Sequence, residues 1–406
     1  MIAPGYKLSD TTAAGRRTLL TRTEAPILHF FSIQSAFYSV KTATWTGKDQ
    51  KPVELSVYYH APHEKNVQRM LEAMKVSLDV FSESFSPFQF RQARILEFPA
   101  YANFAQSFAN TVPYSEGIGF IQNYDESKAD ETIDLVTYVT AHEMGHQWWG
   151  HQIVGADKQG MTLLSESFAQ YSALLVVEKL YGKEQIRKFL KGALDNYLRS
   201  RGGEVIEELP LDRVENQAYI HYDKGALAMY WLKESIGQEK VNRALQKLIA
   251  EFAFKPPPYP SSTDFLRLLR AEAGPENESL ISDLFEKITL YDMKASAASS
   301  KKLPDGRYQT DFTVEGRKLY ADGKGKETEA PLEEPFDLGA FTDEPGKKGY
   351  KRESVLLVER RPLKSGKQIV TLVTKSEPRF VGVDPFNERI DRNADDNLTK
   401  VEGTAH

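Results

Sequence analysis

TYVTAHEMGHQWWG, residues 137–150, decides how the rest of the chain is read. Inside it His142, Glu143 and His146 form H-E-x-x-H, within a stretch from about 132 to 150 expected to be helical. Residues four apart on an α-helix lie on one face, one turn above the other, so two imidazoles can converge on one tetrahedral zinc ion. Glu143, beside the first ligand, is placed to take a proton from a water attacking a carbonyl and to deliver it to the leaving amine.

A site that keeps one position open for water needs three protein ligands. Glu166 is the best candidate for the third. It sits in LLSESFAQYSALLVVEKL, residues 163–180, where Leu163, Leu164, Phe168, Tyr171, Leu174 and Leu175 are expected to pack inward. That pattern carries Glu166 into an interior where an unpaired carboxylate is costly and a divalent cation removes the cost. The competing reading is an exposed first-turn glutamate that stabilises a helix N-terminus. His151 is a rival ligand, but a third histidine of this kind belongs six residues after the second, at Gln152. Asp157 and Glu178 are weaker rivals.

The chain has 406 residues, 41% of them hydrophobic and 11% aromatic, enough for two or three packed domains. Its 52 basic and 57 acidic residues give a net charge of −5, which provides no basic field for nucleic acid or anionic lipid. Peptides and small molecules remain as substrates. With no cysteine, thiol nucleophiles, cysteine zinc sites and disulfides are excluded. No window of about eighteen apolar residues occurs, and the opening MIAPGYKLSDTTAAGRR lacks the apolar core of a signal peptide.

Outward from the motif, the pattern predicts an α+β protein. ILHFFSI, AFYSV, ATWTG and VELSVYY, between 27 and 59, read as three or four strands, the remnant of a β domain that continued upstream. Val67, Met70, Leu71, Met74, Leu78 and Phe81 form one helical stripe. RILEFP (94–99) and GIGFIQNY (117–124) read as strands, and helices are expected at about 163–181, 184–198, 222–236, 238–253, 262–273 and 278–288. The small and charged residues of ASAASSKKLPDG, 295–306, read as a domain boundary, beyond which short alternating strands predict a β-sandwich. The expected division is therefore 1–60, a partial β segment; 61–294, the catalytic domain; 295–395, the sandwich; and 396–406, a frayed tail.

HEMGHQWWGH followed by LLSESFAQY resembles the zinc signature of the aminopeptidase N and leukotriene-hydrolase family, gluzincins that use two histidines and a downstream glutamate. That family usually has eighteen residues between the second histidine and the glutamate; here Gln147 to Ser165 make nineteen, and the extra one is expected in the GADKQG loop, 155–160. HYDKGALAMYWL, 221–232, is similar to the family segment with a catalytic tyrosine, which implies that Tyr222 donates a hydrogen bond to the oxyanion, with Tyr219 next in line. PYSEGIGFIQNYDE, 113–126, resembles a departed form of the family's Gly-x-Met-Glu-Asn strand. Pro113, Ser115 and Gly117 replace its glycine, methionine and asparagine, and Glu116 keeps the glutamate that would bind a substrate's free α-ammonium.

The resemblance, covering about 54–290, implies a thermolysin-like, mostly helical catalytic domain, one zinc ion, and removal of N-terminal residues from peptides. Two other readings stand beside it. One is epoxide hydrolysis on the same scaffold; the other is a non-catalytic zinc-containing ectodomain of a transporter assembly, against which Glu143 and Tyr222 argue because structural zinc needs neither. The abrupt start resembles the bacterial subset in which such a module is tethered to a membrane permease, which would make it the extracytoplasmic part of a membrane protein; the residues alone leave a periplasmic and a cytosolic home both open.

Overall fold

The computed structural model describes residues 1–48, 50–128 and 132–402. It begins with an antiparallel hairpin, β1 (Tyr6–Ala13) and β2 (Arg16–Arg22), turned through Ala14 and Gly15 at positive φ. The apolar run at 27–33, expected as a strand, forms none, and Phe31 and Ile33 within it and Phe37 after it are exposed. Two strands follow, β3 (Ser39–Trp45) and β4 (Val53–Tyr59), paired antiparallel.

After β4 the helix α1 (Val67–Ser84) crosses over to β5 (Gln92–Phe98), which lies parallel to β4, as a parallel pair requires. β6 (Thr111–Ser115) adds a second parallel pairing. The predicted stripe of α1 is buried throughout and shares one core with Val53, Leu55 and Val57 of β4. A boundary at residue 60 would therefore divide a single sheet: β3 and β4 are half of the platform under the helices, not a separate segment. GIGFIQNY is a turn instead of a strand. Asn66 Nδ2 donates to the carbonyls of Gly119 (2.7 Å), Phe120 (3.2 Å) and Gln122 (2.8 Å), taking acceptors that a ladder would have used.

The remaining helices among the described residues are α2 (Leu135–Gly145), α3 (Phe168–Tyr181), α4 (Lys183–Gly202), α5 (Gly225–Ile236), α6 (Gln238–Phe252), α7 (Ser262–Ala273) and the short α8 (Glu278–Ile281). α2 is shorter than the expected 132–150. Asp134 starts it by accepting from Thr137 N at 3.0 Å, and the chain leaves it in a tight turn that ends at Gly150, φ +142°.

Beyond α8 come β7 (Ile288–Lys302), β8 (Tyr308–Ala321), β9 (Glu327–Ala330), β10 (Glu333–Phe341), β11 (Val355–Lys364), β12 (Gly366–Thr374), β13 (Phe380–Val383) and β14 (Leu398–Lys400). They make two four-stranded sheets, β12-β8-β7 with β9 on β8, and β11-β10-β13-β14. Met293, Phe312, Val314 and Leu372 of the first share an apolar core with Leu338, Ala340, Val381 and Val383 of the second. Residues 295–306, expected as a boundary, lie in β7 and its hairpin turn. Ala295, Ala298 and Ser300 are small because they face an interior, and a bulge between Ser296 and Ser299 breaks the alternation that would have marked a strand. The tail is not frayed as far as Glu402: β14 pairs with β13, and Asn397 and Val401 are buried. Residues 403–406, also expected to fray, lie outside the described residues.

Candidate active site

α2 is apolar nearly all round, with Val136, Ala141 and Met144 buried, so it lies inside the molecule instead of on it. Its N-cap Asp134 also accepts from Arg69 Nη1 and Tyr181 OH, both at 2.7 Å, which fixes the helix against α1 and α3. Gly145 allows α3 to come close: a Cβ there would stand 3.2 Å from Ser172 Cβ and 3.3 Å from Ala169 Cα. Trp149 Nε1 donates to Ser172 Oγ at 2.9 Å and ties the turn after α2 to the same helix. That contact brings His142 and His146 to face Glu166.

Glu166 lies on a π-helical turn, Leu163–Ser167, which leads into α3. A π turn holds one residue more than an α turn, so the nineteenth spacing residue has a place in the helix itself and not only in the 155–160 loop. Tyr222 lies on a second π turn, Tyr219–Lys224, which leads into α5. The two turns touch: Ser167 Oγ donates to His221 O at 2.7 Å, and a Cβ on Gly225 would come within 2.2 Å of Ser167 Oγ.

The Nε2 atoms of His142 and His146 are 3.0 Å apart, and Glu166 Oε2 is 3.4 and 3.3 Å from them. Ligands at about 2.0–2.1 Å around a tetrahedral zinc ion stand roughly 3.3 Å from one another. Glu166 Oε2 is buried and makes no hydrogen bond, although two imidazole nitrogens face it, which is the arrangement of ligands around a shared cation. His146 Nδ1 donates to Trp149 O at 3.0 Å, leaving its Nε2 lone pair for a metal. Donor set, spacing and unpartnered oxygen all fit zinc.

Without an ion these groups lean on one another. Burial lowers the tendency of His146 to hold a proton, but Glu166 outweighs it and pushes His146 up to about 9. Glu166 is driven well below the usual carboxylate range: burial opposes this, and the two histidines overcome it. Burial raises Glu143, with the histidines opposing, and its Oε2 has no hydrogen-bond partner. The Tyr222 ring is 5.8 Å from that of His142, and burial together with Glu166 and Glu143 holds its phenol well above the ordinary value, so it stays an O–H donor.

The rivals go elsewhere. His151 faces Ser107 O at 3.2 Å and burial pushes it down to about 4; Glu178 accepts from Lys233 Nζ at 2.5 Å; Asp157 is exposed. Tyr219 packs on Tyr197. Glu116 is grouped with different partners: its Oε1 accepts from Ala100 N at 3.0 Å, and its Oε2 is 3.7 Å from His63 Nδ1, in a cluster with His60 and Glu97. The sequence reading missed that cluster, for which His60-x-x-His63 was the available signal.

Residues 69–287 match the peptidase family M1 domain. Endoplasmic reticulum aminopeptidase 2 of Homo sapiens is 24% identical over 226 residues, 54% of this chain and 23% of that protein. Aminopeptidase M1 of Arabidopsis thaliana is 25% identical over 309 residues, 73% of this chain and 33% of that protein. The chain thus spans a third or less of the length of these relatives. Among solved structures, Legionella pneumophila aminopeptidase A in complex with aspartic acid aligns with a TM-score of 0.59 at 14% identity, over 95% of this chain and 42% of that one. A mutant M1 zinc metallopeptidase from Deinococcus radiodurans aligns with a TM-score of 0.51 at 23% identity, over 70% and 60%. Both likenesses are of fold.

Proposed function

Since the chain belongs to peptidase family M1, we propose that it is a zinc aminopeptidase: it hydrolyses peptide bonds at a zinc ion held by His142, His146 and Glu166, removing residues from the N-termini of peptides. The observation that carries this reading is the near-equilateral set of Nε2, Nε2 and Oε2 atoms with its unpartnered carboxylate oxygen. What bound zinc supplies is Lewis-acid polarisation of the carbonyl and a lowered water pKa. Glu143 takes the proton of the attacking water on its free Oε2 and passes it to the leaving amine; its burial makes it a stronger base than an exposed carboxylate. Tyr222 keeps its proton and donates a hydrogen bond to the oxyanion that develops on the carbonyl.

The layout belongs to the same proposal. The β3–β6 sheet with its helices supports a thermolysin-like catalytic domain, and the two later sheets support a β-sandwich. Removal of N-terminal residues rests on the family. The resemblance gives the substrate's ammonium to Glu116, but the partners of that residue support a different role. No helix among the described residues is long and apolar enough to cross a membrane, and tethering to a membrane permease is carried by the resemblance alone.

The test is a panel of fluorogenic amino-acid amides, free and N-acetylated, with elemental analysis of the same preparation. Hydrolysis of the free amides, lost on chelation and restored by zinc, is expected. A protein that neither carries nor takes up a divalent ion, and cleaves nothing on the panel, would overturn the reading.

A further inference from the structure

We propose that His60, His63, Glu97 and Glu116 form a second site for a divalent transition-metal ion, separate from the His142, His146 and Glu166 set. Each offers one ligand atom, and the four atoms lie within 4.8 Å of one another. The inference does not rest on the peptidase reading.

The fold brings them together at one edge. β4, β5 and β6 run parallel, so their carboxyl ends lie side by side, the place where an open parallel sheet leaves a crevice for ligands. His60 follows the end of β4, Glu97 is the penultimate residue of β5, and Glu116 follows the end of β6. His60 caps a 3₁₀ turn, Ala61–Asn66, closed by His63 N donating to His60 O at 2.8 Å. A kink at His63 interrupts the turn, and the His60 and His63 rings stand edge to face with centroids 6.2 Å apart.

Glu97 makes the cluster unusual. Its side chain is wholly buried, and among the described residues no lysine or arginine pairs with it. Its Oε2 accepts from His60 N at 2.6 Å, while Oε1 faces two imidazole nitrogens, His60 Nδ1 at 3.2 Å and His63 Nδ1 closer still. A buried carboxylate with no lysine or arginine is costly; hydrogen bonds from His60 N and His63 Nδ1 offset part of that cost in the metal-free protein, and a cation shared with the two imidazoles would offset the rest. Two nitrogens and two carboxylate oxygens suit zinc and its first-row neighbours better than calcium or magnesium, which take oxygen alone. A carboxylate committed to a cation does not pair with an ammonium, so this assignment takes Glu116 out of substrate recognition.

The test counts metal in the full chain after equilibration with Zn²⁺ and gel filtration. About two zinc ions per chain are expected, falling to about one in His146→Ala, about one in His63→Ala and none in the double variant. Glu97→Gln removes a buried group and endangers folding, so His63→Ala, at a partly exposed residue, is the primary variant, checked by thermal unfolding. In the His146→Ala background, bound Co²⁺ should give a visible ligand-field absorption that His63→Ala and Glu116→Ala each weaken. The same zinc content in His63→Ala as in the wild type overturns the second site and leaves the peptidase reading standing. Metal lost with His63→Ala but not with His146→Ala supports the second site and sinks the peptidase reading.

Discussion

Glu143 and Tyr222 stand beside the same three ligands, yet their substitutions should differ in severity. Glu143→Gln keeps shape and metal but cannot accept a proton, so turnover should fall on the order of 10²–10⁴-fold with zinc content unchanged. Tyr222→Phe removes one donor, and kcat should fall about 10²–10³-fold, equivalent to about 2.7–4 kcal/mol of transition-state energy. Unchanged turnover in the Phe variant would take the oxyanion role away from Tyr222. A third expectation concerns protons. With His146 pushed up to about 9 in the metal-free site, it is protonated at pH 7, so zinc must displace that proton. In the His63→Ala variant, which keeps only this site, calorimetry in buffers of different ionisation enthalpy should find about one proton released per zinc bound at pH 7, with affinity rising as pH rises toward 9. No release would mean that His146 is neutral before zinc arrives. His142, Glu143 and His146 were legible in the sequence because one helical turn fixes their relation. Glu97 was not, since its partners come from the ends of other strands and nothing local marks it.

Among the elements, those with a regular apolar stripe were read correctly, and several without one were not. α1 announces itself through Val67, Met70, Leu71, Met74, Leu78 and Phe81. The β1–β2 hairpin is polar and mostly exposed, so it has no inward face to alternate with. β7 hides behind small residues that fill a narrow interior, and the aromatic run at 27–33 looks like a strand while forming none. The helix carrying Glu166 was foreseen, but not that it opens with a π turn, because hydrophobic periodicity hardly changes over five residues. That turn has a testable dependence on its neighbour. Gly225→Ala would drive a methyl group into Ser167, whose Cβ lies 2.7 Å and Cα 3.3 Å from the added carbon. Overpacking of this kind should cost about 1–3 kcal/mol in denaturant unfolding. It should also lower turnover, because Tyr222 and Glu166 sit on the displaced turns; a variant with native stability and native activity would show that the turns adjust freely.

At the scale of the whole molecule, the helices and the later sheets meet over a group of buried charges. Arg389 stacks on Trp231 of α5, and Glu388 lies near Lys183 at 3.9 Å and Arg360 at 3.6 Å. Burial pushes Asp384 up to about 7, Asp391 to about 7 and Glu388 to about 8, with Arg389 opposing the first and Lys183 the last. An acid whose folded-state value is raised binds its proton more tightly when folded. Its contribution is complete below the unfolded value near 4 and is lost as pH rises through 7 to 8. Thermal unfolding should therefore show lower stability at pH 9 than at pH 6, and Glu388→Gln should flatten that slope; an unchanged slope would place the titration elsewhere. The paired π turns, latched by Ser167 Oγ on His221 O, have a consequence for anyone wishing to graft this centre onto another scaffold. Copying the H-E-x-x-H helix would transplant two imidazoles and a base but leave the third ligand and the phenol behind. The portable unit is three separated stretches, 134–150, 163–172 and 219–225, which hold one another in place and have to travel together.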